Sequence, residues 1–180
     1  MLSENDRSAD NQQESNISDD YFLGFVEGEG CFYVGFSKRE DLPLGWQVIT
    51  EFHLSQNPGG KNILISFKRR LGCGYIKRNH PKSLRDKTWV LIVKNRQDLW
   101  EKLIPFFREH SLRSTKKNDF IIFIKTLDLI KEGKHLTKEG FKIIVNLVYS
   151  SSRNTNKHYS KKEILRSSET IRKTRLKLNI

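Results

Sequence analysis

Cysteine is scarce, with two residues in 180, and Cys31 and Cys73 stand 42 positions apart. Neither has a Cys or His neighbour at zinc-ligand spacing. That excludes a disulfide framework and a zinc module, and it predicts two reduced cysteines of an intracellular protein. The five histidines are scattered and form no metal cluster. No apolar run approaches the ~20 residues that cross a bilayer, so no membrane partner is expected. The first stretch, MLSENDRSADNQQESN, is polar and acidic. It has neither the apolar centre of a secretory signal nor the basic character of a transit peptide. Residues 1–16 read as a disordered acidic tail.

Beyond that tail, acids become scarce in turn. Residues 1–20 hold six acids and one base, whereas the other 160 hold 32 bases against 15 acids, a net +17. These bases are interleaved with strand patterns rather than gathered in one tail. Such a charge favours a polyanionic partner, nucleic acid above all.

The stretch YFLGFVEGEG, residues 21–30, organises what is present. Ser18 can cap a helix that starts there. On that helix Phe22, Phe25 and Val26 share an apolar face, while Gly24 and Gly28 stack four apart on another, beside Tyr21 and Ile17. Each glycine costs about 1 kcal/mol relative to alanine. Close approach of a second backbone is the physical reason to keep two. Glu29 falls at the helix exit, where the dipole disfavours a carboxylate, which marks it as a ligand for a cation. Glu27 is assigned a structural role near the helix end.

Two hairpins and further helices follow. Phe32, Val34 and Phe36 alternate with Cys31, Tyr33, Gly35 and Ser37, a half-buried strand that ends in Lys38 and Arg39. After the turn EDLPLG, residues 46–56 alternate again. Trp46, Val48, Phe52 and Leu54 point inward, Gln47, Glu51 and His53 outward, and Ile49 and Thr50 blur the pattern. Asn57 and Pro58 start a helix carrying Ile63, Leu64, Phe67 and Leu71, ended by Gly72. A strand with Tyr75, Lys77 and Asn79 on one face, the basic loop PKSLRDK and the strand TWVLIVK form the second hairpin. Asn95 caps a helix over 98–107. A helix over 116–130 turns Phe120, Ile121, Ile124, Leu127 and Ile130 inward. Thr137 opens another, with Phe141, Ile144, Val145 and Val148. Ser160 and Glu163 form a capping box for a final helix over 161–178.

The predicted fold is α+β, in the order αββαββα followed by helices: one four-stranded antiparallel sheet with helices on one face. The open face carries Tyr33, Ser37, Arg39, Gln47, His53, Tyr75, Lys77, Asn79 and Thr88. Hydrogen-bonding side chains with positive charge suit the major groove of double-stranded DNA.

LGFVEGEG at residues 23–30, after a capped helix start and followed by αββαββα, resembles the LAGLIDADG homing endonuclease family. The likeness in element order covers residues 17–130, and residues 131–180 resemble the basic C-terminal helices of its single-motif members. No second motif occurs, so the resemblance implies a homodimer, with Tyr21, Gly24 and Gly28 at the interface. It implies site-specific, magnesium-dependent cleavage of both strands of a long, partly palindromic DNA site. Manganese could replace magnesium, and calcium would bind without supporting cleavage. No small-molecule cofactor is implied. Glu29 and the Gly28 carbonyl would hold the metal, with Glu29, Gln56 and Lys116 as catalytic residues. Gln56 would order water, and Lys116 would neutralise charge developing at the phosphate, with Lys117 and Arg113 as its alternatives. A further active-site arginine of some members falls near Gly60; it is absent here or supplied by Lys61. A chloroplast, a mitochondrion or the cytoplasm is the implied location. An intron-RNA maturase or a non-cleaving DNA-binding protein is the alternative on the same fold. A single-stranded RNA-binding sheet would need paired open-face aromatics, has only Tyr33 and Tyr75, and leaves YFLGFVEGEG unexplained.

Overall fold

The computed structural model describes residues 17–150 and 158–178. The expected acidic tail and most of the Ser/Asn-rich loop before Ser160 lie outside the described residues. Among those residues, no helix is long and apolar enough to cross a membrane.

Helix α1 spans Asp19–Glu29 and is capped by Ser18, whose side chain accepts from the Tyr21 N–H at 3.2 Å. The chain passes directly into β1 (Gly30–Lys38), which pairs antiparallel with β2 (Trp46–Gln56). Inward residues of β2 are buried at every second position, Thr50 included. The alternation predicted to blur there is therefore strict, because the pleat places residue 50 on the core side whatever its polarity.

A 3-10 turn, Pro58–Gly60, capped by Asn57, leads into α2 (Lys61–Leu71). Gly72 ends it in the left-handed region at φ +63°, its N–H donating to the Lys68 and Arg69 carbonyls. Strands β3 (Tyr75–Arg78) and β4 (Trp89–Val93) complete one sheet in the order β1-β2-β4-β3.

Asn95 accepts from the Gln97 and Asp98 N–H groups, and the helix it caps starts at Arg96, earlier than expected. That helix is also not uniform. A turn at Arg96–Asp98 (α3) runs into a π turn at Leu99–Leu103 and then into α4 (Ile104–Glu109). Pro105 has no N–H to donate four residues back, and the wider turn before it absorbs the missing bond.

Helix α5 spans Lys116–Lys131. Its buried stripe is Phe120, Phe123, Leu127 and Ile130, while Ile121, expected inward, is 39% exposed. The helix is rotated because it packs on β1, where the Phe32 ring meets both Phe120 at 4.9 Å and Phe123 at 5.7 Å.

Helices α6 (Lys138–Ser150) and α7 (Lys161–Leu178) start at their predicted caps. Thr137 accepts from Gly140 N–H and Ser160 from Glu163 N–H. The apolar interior divides in two. One cluster joins Phe22 and Val26 of α1 to Phe52, Leu91 and Phe107. The other sets Phe141, Ile144 and Ile164 against Trp46 and Val48, at the turn end of the first hairpin. Together the helices cover one face of the sheet, the side of Phe32, Phe52 and Leu91.

Candidate active site

The carboxyl end of α1 is where the predicted chemistry gathers. Phe22 and Val26, both fully buried, fix the helix against the core. Gly24 and Gly28 then face away from it. A methyl group built on either would meet no described atom of this chain within 4 Å beyond the helix's own backbone. The glycine seam is therefore open, with half-exposed Tyr21 beside it. Glu29 closes the helix with its side chain exposed. The chain turns into a strand at Gly30, whose N–H caps the Val26 carbonyl. The carbonyls that follow have no intrahelical donor.

Glu27 and Glu29 point to different sides, since two residues on a helix are about 200° apart. Glu27 reaches across to the link before α5. It accepts from the backbone N–H of Arg113 and, at 3.2 and 3.3 Å, from that of Ser114. Burial acts to raise the Glu27 pKa, but the hydrogen bonds from Ser114 and Arg113 and the nearby Lys116 charge outweigh it, and the net direction is down.

This tether sets the start of α5 beside the end of α1. Lys116, 8% exposed, lies there and donates from Nζ to the Gly30 carbonyl, one residue after Glu29. Lys117 and Arg113 are exposed instead. Of the three basic side chains, Lys116 is the one seen bonded to the helix exit.

Gln56 ends β2, two residues past Leu54, which pairs with Gly30. Its Oε1 accepts from its own neighbour, the Asn57 N–H, at 2.7 Å. Its side chain lies across Gly60, where an added Cβ would collide with Gln56 Cγ. The position at which the family resemblance expects an arginine is thus filled by Gln56.

Positive charge enters beside it by another route. Gln56, Trp89 and Arg78 form one cross-strand row. Lys61 lies 4.1 Å and Arg78 5.0 Å from the centroid of the Trp89 ring. The seating of two cations on Trp89 is legible only from the register, which sets Arg78 and Gln56 in its row.

On the outer face, Tyr33 and Tyr75 are 40% and 37% exposed and Lys77 is exposed. Ser37 and Gln47 pair in register, and Asn79 N–H donates to the Thr88 carbonyl. Arg39 follows β1 and is held bidentate by Asp41 at 2.8 Å, with Gln47 at 3.5 Å. His53 is within 2.7 Å of Glu51. Val90 and Ile92, on the same face, are nearly buried, so the centre of the surface is apolar and its flanks are polar.

No three His, Cys, Asp or Glu side chains cluster as a metal site among the described residues. An exposed carboxylate with the Gly28 carbonyl is an oxygen donor set of the kind a hard divalent cation takes. One carboxylate and one carbonyl fall short of the full shell of about six oxygens that such a cation takes. Burial, with the Asp98 charge adding to it, pushes the Cys73 thiol up to about 11 and keeps it protonated.

The sequence profile of the LAGLIDADG endonuclease family matches residues 22–127, which hold most of α1, the whole sheet and most of α5. The chain belongs to the LAGLIDADG endonuclease family. The "Probable intron-encoded endonuclease 2" of Neurospora crassa is 27% identical over 167 residues, 92% of this chain and 36% of that protein. This LAGLIDADG chain therefore spans about a third of that relative's length. The crystal structure of the homing endonuclease I-TnaI is similar at a TM-score of 0.74 and 32% identity, over 87% of this chain and 99% of that one. The archaeal intron-encoded homing endonuclease I-Vdi141I, solved in complex with DNA, gives a TM-score of 0.74 at 26% identity, over 85% of this chain and 95% of that one.

Proposed function

We propose that this chain is a site-specific DNA endonuclease that acts as a homodimer. Two copies would place their α1 helices together along Gly24 and Gly28, bringing one Glu29 from each beside a long, partly palindromic duplex. The observation that carries this is the carboxyl end of α1. An exposed acid stands next to an open glycine seam, with a buried lysine held one residue away. Two carboxylates so close repel unless cations lie between them. Magnesium, held by the paired Glu29 side chains and the Gly28 carbonyls, would polarise the scissile phosphate and lower the pKa of a bound water.

The chain's own groups account for the remainder. Lys116 holds a positive charge where negative charge develops as the phosphate is attacked. The Gln56 amide, anchored through Oε1, presents its NH2 group to orient a water. The basic strand face positions the duplex, and phosphate contacts carry most of the affinity. The I-Vdi141I complex with DNA supports this docking, and the intron-encoded Neurospora relative supports an intron origin.

The test is selection from a randomised DNA library with and without magnesium. Magnesium-dependent double-strand cuts at one enriched sequence are the expected result. Binding to that sequence with no cleavage under any divalent ion would leave a DNA-binding protein and overturn the nuclease reading.

A further inference from the structure

One side chain on the outer sheet face has the wrong sign for a phosphate surface. Among the outward-facing residues of the four strands, Glu51 is the single acid. A carboxylate in such a groove opposes every nearby phosphate and lowers affinity for DNA in general.

Glu51 is also built in rather than loose. Its Oε2 lies 2.7 Å from His53 Nε2, and the two side chains are only 25% and 28% exposed. Tyr33 sits opposite Glu51 in the β1–β2 register. The Tyr33 ring stacks on His53, with centroids 5.8 Å apart and planes within 11°. His53 thus restricts the carboxylate, and Tyr33 in turn restricts His53. Among the described residues its hydrogen bonding uses Oε2, leaving Oε1 able to accept.

The major groove presents one matching partner for such a group. Cytosine offers its N4 amino group as a donor, whereas guanine and the thymine carbonyl present acceptors that repel a carboxylate. Adenine offers a donor beside an acceptor, which suits an amide better than an acid. We infer that Glu51, oriented by His53 and Tyr33, is a specificity-determining residue that accepts a hydrogen bond from the N4 amino group of a cytosine in each half-site. This rests on the DNA-endonuclease reading proposed above. Glu51 is five residues from Gln56 at the strand end. At ~3.4 Å per residue that is ~17 Å, or of order five base pairs outward from the active-site end.

The experiment is the same library selection, run in parallel on the full chain and on its Glu51→Gln, Glu51→Ala and His53→Ala variants. The wild type enriches cytosine at one symmetric pair of positions. Glu51→Gln moves the preference there to adenine, a change of order tenfold to a hundredfold in relative enrichment. Glu51→Ala flattens that position, His53→Ala broadens it, and all other positions keep their bases, which also shows that the variants fold. Identical preferences in the wild type and Glu51→Gln would overturn the inference. So would a uniform gain in binding to every sequence, since Glu51 would then act only as a repulsive charge. A wild type that enriches no sequence would instead overturn the DNA reading itself, and no variant is needed to see it.

Discussion

Glu27 and Glu29 share one helix end and differ in everything that follows from direction. The exposed Glu29 carries the proposed cation chemistry, so Glu29→Gln should lower the cleavage rate more than about a hundredfold. Binding, measured by gel shift in calcium, should change less than about threefold. Retained cutting would show that another group holds the metal. Glu27 ties the link before α5 to α1 through two backbone N–H groups. Its loss in Glu27→Ala should cost about 1 kcal/mol in chemical denaturation at neutral pH, after allowing for solvent access. Because the folded-state pKa of Glu27 is lowered, its stabilisation is present above the ordinary carboxylate range and is lost as pH falls through the folded pKa. Wild type and Glu27→Gln should therefore converge in stability in acid and separate toward neutrality. A gap independent of pH would contradict the assignment. Glu29 stands out in the motif because its oddity is local. The partners of Glu27 were not, since they lie 86 and 87 residues downstream.

At the scale of elements, α1 makes the sharpest prediction. Nothing described in its own chain fills the space over Gly24 and Gly28, so Gly24→Leu and Gly28→Leu should fold. Their circular dichroism should match that of the wild type. Each should run as a monomer on a sizing column and cleave at least about a hundredfold more slowly, because the paired acids would be separated. A dimeric, active Gly28→Leu would remove the seam from the interface. Helix caps were readable beforehand at Ser18, Asn95, Thr137 and Ser160, because a cap bonds N–H groups two or three residues away. The face that α5 buries was readable only in part. Ile121 and Phe123 lie within a turn of Phe120, and periodicity alone cannot choose between them. Contact with Phe32 chose Phe123.

At the scale of the whole molecule, charge and symmetry decide behaviour. The strongly basic chain should bind its DNA with a steep salt dependence, losing at least about a thousandfold in affinity between 50 and 200 mM salt. A flat response in fluorescence anisotropy would remove groove binding by the sheet. The sequence by itself determined the α+β order, the two alternating hairpins and the helix caps, and it singled out Glu29 as the acid proposed to hold a cation. All of these are written in spacing between residues near one another in the chain. Only the tertiary structure decided that Lys116, rather than Lys117 or Arg113, reaches the end of α1. It also decided that Trp89 seats Lys61 and Arg78 beside Gln56, and that Glu51 is braced by His53 and Tyr33. Those pairings depend on how strands register and how helices rotate as the core closes. That is settled by packing between distant segments, on which local periodicity is silent.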